Sequence, residues 1–340
     1  LIETVTYKVE MSLTGRLTQL PDSQKIFGAL IYMYAEQYSS ERATLLVSKI
    51  REGEIYFSLS NMLPRDYFPT PQTYLLDPSS GQPSDRSDKK KDKKTYKAIK
   101  HRSFMKLAEI YKAMDNPNHA DNLYPFACIE SSQQIHAAID SLRYDIPGLD
   151  PNVYSVPEVN VVEVLKEGKK EIVTKFSFYL CADKCDESAE LLDALQHAKE
   201  SKRRFFLGAR ASQGFNTFVV ESIQAHEFGD SGGRTNTYLN LGMLLPQAID
   251  FEESSLKLFT SERRPYHSAG GWDKELSGQF ISFIEAGSII LVTEGRKKAG
   301  GSILSPFNNK DKPRDIVFGN AFLLPIQLDR RKQYDAPVTS

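Results

Sequence analysis

The sequence predicts an α+β protein of two ferredoxin-like lobes, the first interrupted by a long basic insertion. Three observations lead there. The chain has 340 residues, more than a single hydrophobic core usually serves. Apolar periods of two and of 3.6 residues follow one another as strand, helix, strand, strand, helix, strand once the insertion is set aside. The strand-helix order restarts after GDSGGRTN, residues 229–236, a flexible break by composition. The expected division is an N-terminal lobe over 1–228 with its insertion at 64–171, a strand-rich lobe over 229–330, and a fraying tail over 331–340.

The elements follow in order. Val5, Tyr7, Val9, Met11 and Leu13 alternate with Thr6, Lys8, Glu10 and Ser12, which describes a half-buried antiparallel strand. Asp22 or Ser23 can cap a helix on Ile26, Phe27, Leu30, Ile31 and Tyr34. Glu41 to Arg51 continues or restarts it, Gly53 stops it, and Ile55, Phe57 and Leu59 share a face of strand two. From Pro64 five prolines precede a run in which residues 86–106 hold ten Lys/Arg against Asp88 and Asp92. Residues 87–94 read as disordered without a negative partner, while 96–114 reads as a short helix. IVTKFSFYLCAD restores a strand with Phe176 and Phe178 in the core, ESAELLDALQHAKES a helix on Leu191, Leu192 and Leu195, and FNTFVVESIQ a fourth strand. Beyond the break come YLNLGMLLP, FEESSLKLF as a short helix, a turn region from Tyr266 to Trp272, and the strand-like ISFIEAGSIILV and IVFGNAFLLPIQL.

Composition bounds the function. Lys+Arg 43 against Asp+Glu 44, a net charge of −1, excludes a protein that coats nucleic acid by bulk charge, and 40% hydrophobic residues exclude wholesale disorder. Any RNA footprint must be local. Cys128, Cys181 and Cys185 leave one thiol unpaired, which suits a reducing compartment and predicts a cytoplasmic protein. The start alternates instead of showing an export signal, and no apolar run reaches membrane-span length.

Two segments carry the chemistry of recognition. In LGARASQGF, residues 207–215, Gly208 and Gly214 permit backbone conformations closed to other residues, and Arg210 adds a cation, a combination that cradles phosphate. It is neither a Walker loop nor a dinucleotide fingerprint. The lysine run can straddle a single-stranded backbone, with Tyr96 or Phe104 available to stack on a base. Strand one offers no such platform, since its open face carries Thr6, Lys8, Glu10 and Ser12. Cys181, Cys185 and His197 lack a fourth ligand, so neither metal nor cofactor is expected. The histidines form no pair. A rival reading nevertheless makes His226 or His267 the general base of a metal-independent endoribonuclease that processes guide RNA, with Arg210 stabilising phosphorane charge.

DSQKIFGALIYMYAEQ, SLSNMLPRDYFPTP, LGARASQGF, LNLGMLLPQ and IVFGNAFLLPIQL, in this order and spacing, resemble the fourth subunit of the type III-A CRISPR effector, the Csm complex. The resemblance runs from about Val5 to Leu328. It implies two RRM-like lobes of the RAMP type that bind the 5′ tag of the crRNA without catalysis and cap the filament. It also implies contacts to the large polymerase-cyclase subunit and to the backbone RAMP subunit, target RNA being met only indirectly, and an inserted thumb that kinks the guide, expected within 64–106. Carried across, it assigns RNA binding to Gly208, Arg210, Ser212 and Gly214, and to Ser23 and Lys25 at the start of helix one. The lysine run adds Lys93, Lys94, Lys97 and Lys100. Ala209 and Asn216 stand where the family's loop has glycines.

Overall fold

A computed structural model describes residues 3–77, 89–138, 152–228, 235–262, 280–305 and 314–327. β1 (Thr4–Leu13) turns its Val9 and Met11 inward, as the alternation requires. α1 (Ser23–Gln37) starts where the Asp22 carboxylate accepts the Lys25 amide at 2.9 Å. α2 (Ser40–Glu52) is a separate helix, capped by Ser39 and ended by Gly53 in the left-handed region. β2 (Phe57–Leu59) follows, then the insertion.

That insertion is a folded unit. After β3 (Leu63–Pro64) come β4 (Phe68–Pro69), α3 (Gln72–Leu76), α4 (Lys89–His101), β5 (Phe104–Met105), α5 (Leu107–Asp115), β6 (Phe126–Ala138), β7 (Asn152–Val164) and β8 (Lys170–Ile172). β4 to β8 pair in sequence as an antiparallel sheet, and β6 and β7 form a hairpin in register from Phe126↔Val164 to Ala138↔Asn152. This hairpin lies outside the 64–106 stretch in which a thumb was expected. Pro157 sits in β7 without disrupting it. The neighbouring odd positions, Val159 and Val161, hydrogen-bond away from β6, to Leu17 and Val173, so the missing Pro157 N–H falls on the outer edge.

β9 (Lys175–Asp183), α6 (Asp186–Glu200), β10 (Arg204–Phe206) and β11 (Thr217–Ala225) complete the unit that β1 begins. Its sheet runs β10-β11-β1-β9-β2, every pair antiparallel. With β10 set aside, this is the fourth-first-third-second order of a βαββαβ ferredoxin-like unit. Ile26, Leu30, Leu191 and Leu195 join Val9, Met11, Phe176 and Phe178 in one core, so the two phenylalanines are core residues, as expected. The opposite face is covered too at β9, where Tyr179 packs among Phe68, His226, Phe228 and Phe322 at centroid distances of 5.0–5.9 Å. Lys8 on that face is held by Asp66 at 2.6 Å and Glu10 at 2.9 Å.

The remaining strands are β12 (Thr237–Asn240), β13 (Ile249–Ser255), β14 (Leu258–Glu262), β15 (Phe280–Ile284), β16 (Ile289–Val292), β17 (Ile303–Leu304), β18 (Ile316–Val317) and β19 (Leu323–Pro325). The order β13-β16-β12-β19 repeats that of the first sheet, but its connections hold no α-helix among the described residues. The expected FEESSLKLF helix is corrected to β13 and β14. Asp250 Oδ1 accepts the amides of Glu252 and Glu253 at 3.0 and 3.1 Å, and the strand's register breaks between Asp250 and Ser255. A carboxylate that imitates a helix cap thus closes a turn inside an irregular edge strand.

The two sheets share one core. Leu59 on the outer edge of β2 bridges Ala321 in parallel, its amide reaching Asn320 at 3.0 Å and its carbonyl taking the Phe322 amide at 2.8 Å. Phe318 stacks on Phe27 with centroids 4.2 Å apart, and Lys297 pairs with Asp183 at 2.5 Å. The break at 229–234 lies outside the described residues.

Candidate nucleic-acid interface

The loop between β10 and β11 is built from left-handed residues. Arg210, Gly214 and Asn216 have φ of 63°, 79° and 52° on either side of a 3-10 turn at Ala211–Gln213. The Leu207 amide reaches the Asn216 carbonyl at 2.9 Å and closes the loop at its neck. Ser212, Gln213 and Gly214 are exposed, and the Arg210 guanidinium lies 3.3 Å from Gln213 Oε1. The leading amides of such a turn have no partner within it and are available to an anion. A Cβ on Gly208 would fall 2.7 Å from Asn216 Nδ2, and one on Gly15 would fall 1.9 Å from the Gly214 carbonyl oxygen. Both glycines are therefore steric requirements of the loop's packing.

The loop is joined to the hairpin through residues 16–18. Arg16 bridges Phe215 in parallel, Leu17 bridges Val159 of β7, and the Arg16 guanidinium lies 3.6 Å from Glu158. Farther along the hairpin, α4 is anchored at its base. Arg102, only 3% exposed, lies over the rings of Phe126 and Tyr124 and donates to the carbonyls of Ala98, Asp121 and Leu123. Gln72 Nε2 donates toward the carbonyls of Ile99, Lys100 and Arg102 at 3.0–3.2 Å. Lys93, Lys97 and Lys100 recur at helical spacing on one exposed side with Tyr96, whose ring faces Lys100 Nζ at 5.8 Å. Lys94 is paired with Asp121 at 2.7 Å, which lowers the Asp121 pKa.

The lysine segment is thus a helix secured at its C-terminal end: residues 93 and 94, expected without fixed structure, are helical, and the short helix expected over 96–114 is divided into α4 and α5 with β5 between them. Residues 87 and 88 and the side chains of 89–92 lie outside the described part. Phe104 is 8% exposed and belongs to the core, so Tyr96 alone of the two aromatics faces solvent. Val159, which meets Leu17, and Val164, paired with Phe126 at the α4 anchor, are five residues apart on β7, about 17 Å.

Ser23 and Lys25 occupy a different environment. Ser23 is fully buried; its hydroxyl accepts the Met243 amide at 3.0 Å and its own amide reaches Asn61 Oδ1 at 2.9 Å, tying α1 to the second lobe. Lys25 folds back onto the Asp22 carboxylate. Beside them opens a cleft of about 320 Å³ where both lobes and the insertion meet, lined by Gln19, Asp22, Asn61, Gln72, Ile129 and Phe259 among others. Ile129 and Phe259 are 43% and 45% exposed.

Comparison of the whole structure with solved ones finds two kinds of complex. One is a Csm3-Csm4 subcomplex of the type III-A CRISPR-Cas interference complex, with a chain 14% identical at a TM-score of 0.56, the match covering 95% of this chain and 100% of that one. The other is a Csm1-Csm4 cassette, crystallised with cA4 (14% identity, TM-score 0.54) and with AMPPNP (16%, 0.50), each match covering 96% of this chain and 99% of the other. Csm4 is the component the two share. The chain has a Csm4-like fold. No family model matches the sequence, and no curated protein matches it.

Against that fold the remaining candidates are resolved by their surroundings. His226 lies between Tyr179 and Phe228, its ring 4.5 Å from the latter, and burial together with the Lys8 ammonium holds its pKa below the ordinary range. His267 lies outside the described residues. Cys181 is buried with the Arg296 guanidinium 3.4 Å from its sulfur, and His197 is exposed on α6. Among the described residues no His, Cys, Asp and Glu side chains gather as a metal site, and no helix is long and apolar enough to cross a membrane. Sequence reasoning missed Arg16, Thr18, Asn216 and the β6–β7 hairpin. The valine alternation of VYSVPEVNVVEV was the available signal for the hairpin.

Proposed function

We propose that this chain is a non-catalytic crRNA-binding subunit of a type III-A CRISPR effector, holding the 5′ tag, capping the filament and joining the large polymerase-cyclase subunit to the backbone RAMP subunit. The observation that carries the reading is a Csm4-like fold along nearly the whole chain, in which an exposed glycine-bearing loop is joined to a long hairpin. Gly208 and Ser212 supply backbone amides and Arg210 a cation to the RNA backbone, while Gly214, whose own amide donates to the Ala211 carbonyl, sets the turn, as sequence-independent holding requires. Lys93, Lys97 and Lys100 extend the positive track along α4, with Lys94 available once a phosphate competes with Asp121. The hairpin serves as the thumb. Ser23 and Lys25 follow Asp22, which lines the cleft, Ser23 as a structural tie and Lys25 as a cation beside it. The two-lobe division, with its boundary within 229–236, and a cytoplasmic location belong to the same proposal.

The test is salt-dependent filter binding of the purified chain to guide RNA with and without its 5′ tag. Arg210→Gln, which leaves the loop's glycines in place, should weaken binding severalfold while the thermal midpoint stays within a few degrees. Unchanged affinity at physiological salt would remove the loop from the interface. Cleavage of repeat RNA without metal, lost in His226→Ala, would replace this reading with the endoribonuclease.

A further inference from the structure

Residues 16–18 belong to no multi-residue strand, yet both parts of the candidate interface are spliced onto them. On one side the Arg16 carbonyl accepts the Asn216 amide at 2.7 Å. Asn216 Nδ2 donates to Thr18 Oγ1 and to the Ala209 carbonyl, both at 2.8 Å, while its Oδ1 accepts the Thr18 amide at 3.0 Å. On the other side the Leu17 carbonyl accepts the Val159 amide at 2.8 Å, with the Arg16–Glu158 pair beside it. Leu17 is 2% exposed and Asn216 is fully buried.

We propose that Arg16–Thr18 is a splint, and Asn216 its clamp, that makes the glycine loop and the β6–β7 hairpin one body. Asn216 is then a positioning residue, fixing the spacing between the RNA held at the loop and the RNA met by the hairpin. This rests on the RNA reading of the interface. At no exposure Asn216 cannot touch RNA itself, and its side-chain bonds all run to the chain. A glycine would accept the φ of 52° with less strain, but would leave the Thr18 amide and hydroxyl and the Ala209 carbonyl without these partners. Asparagine combines tolerance of the left-handed region with three hydrogen bonds. Gly208 is its counterpart, since any side chain there would displace the amide. The clamp therefore needs glycine at 208 and a side chain at 216.

The experiment uses the full chain and three variants: Asn216→Gly, which suits the backbone but removes the side chain; Thr18→Val, which removes one acceptor; and Thr18→Ser, which restores it. Hydrogen exchange is followed at the Leu207 amide in the loop neck, the Val159 amide in the hairpin and the Phe178 amide in the central sheet. RNA affinity and the positions of hairpin-to-RNA cross-links are measured in parallel, with guide RNA carrying its 5′ tag as the probe. In Asn216→Gly and Thr18→Val, exchange at Leu207 and Val159 should rise together at least tenfold with Phe178 unchanged, and the cross-links should spread over neighbouring nucleotides. Thr18→Ser should behave as the parent. Acceleration at Leu207 with Val159 unmoved overturns the splint, whatever the RNA does. A joint rise with unchanged affinity and cross-links overturns the positioning role. If the parent binds no RNA, the functional reading falls with the positioning role, while a joint rise still supports the splint. If Asn216→Gly does not fold, the Thr18 pair decides.

Discussion

Arg102 is held by four hydrogen bonds to backbone carbonyls and by two aromatic rings, and burial lowers the pKa of its guanidinium. Arg102→Ala would orphan those carbonyls and release the end of α4, at a cost of roughly 3 kcal/mol. A urea midpoint shifted to match, with unchanged slope, would bear this out; a shift near zero would show the carbonyls finding other donors. In a basic run such a residue is illegible, because the rings that hold it lie more than twenty residues away in the sequence. The clamp at Asn216 was hidden for a related reason: one asparagine among glycines carries no periodic signal, and its partners are 198 positions distant in Thr18 and seven in Ala209. His226 gives a pH prediction. Its pKa is depressed in the folded chain by burial and by Lys8, Asp66 acting in the opposite sense. The unfolded chain therefore takes up the proton first as pH falls. Stability from this group is complete above about 6.5 and is lost as pH falls toward the folded value. Thermal midpoints between pH 7.5 and 5.5 should fall less steeply in His226→Phe than in the parent; parallel curves would deny His226 this role.

At the level of elements, α4 turns a charge run into a pattern. Its exposed side carries Lys93, Lys97 and Lys100, so their joint replacement by glutamine should flatten the salt dependence of single-stranded RNA binding by about two units, near 0.7 per phosphate released. Lys94→Gln should do less, because Lys94 already has Asp121 in the free chain. No change in slope for the triple variant would take α4 out of the RNA path. β1, α1, β2, β9, α6 and β11 were readable because their periods are clean, and α1 has a recognisable start in Asp22. β13 was not readable, because Asp250 makes in a bulged strand the bonds it would make at a helix cap. The insertion was opaque for a different reason. Its sheet is assembled from two-residue strands, then two of thirteen residues and a last one of three, and Pro157 in one of the long runs argues against a strand unless the edge it faces is known.

For the whole molecule, the decisive feature is the shared core. Phe27 of α1 and Phe57 of β2 meet Phe318, which follows β18, and Leu59 pairs its backbone with 320–322. The chain should therefore unfold in one transition. Phe318→Ala should cost about 3–5 kcal/mol and move the midpoints of both sheets together; two separated transitions in the parent would show the sheets melting independently. Both sheets have the same strand order, yet the sequence made only the first visible, because its helices carry leucine stripes while the second sheet is joined by loops of PQA and GGS type. The near-zero net charge was legible and fits a molecule whose longest basic run lies in and around α4. The joining of β2 to 320–322 also governs how the protein is made. During synthesis the edge of β2 and the rings of Phe27 and Phe57 leave the ribosome some 260 residues before Phe318, which at ordinary elongation rates is roughly ten to fifty seconds. Over that interval the nascent first lobe displays an unpaired strand and a bare aromatic cluster, so its safe maturation depends on elongation speed and on whatever shields apolar surface at the ribosomal exit.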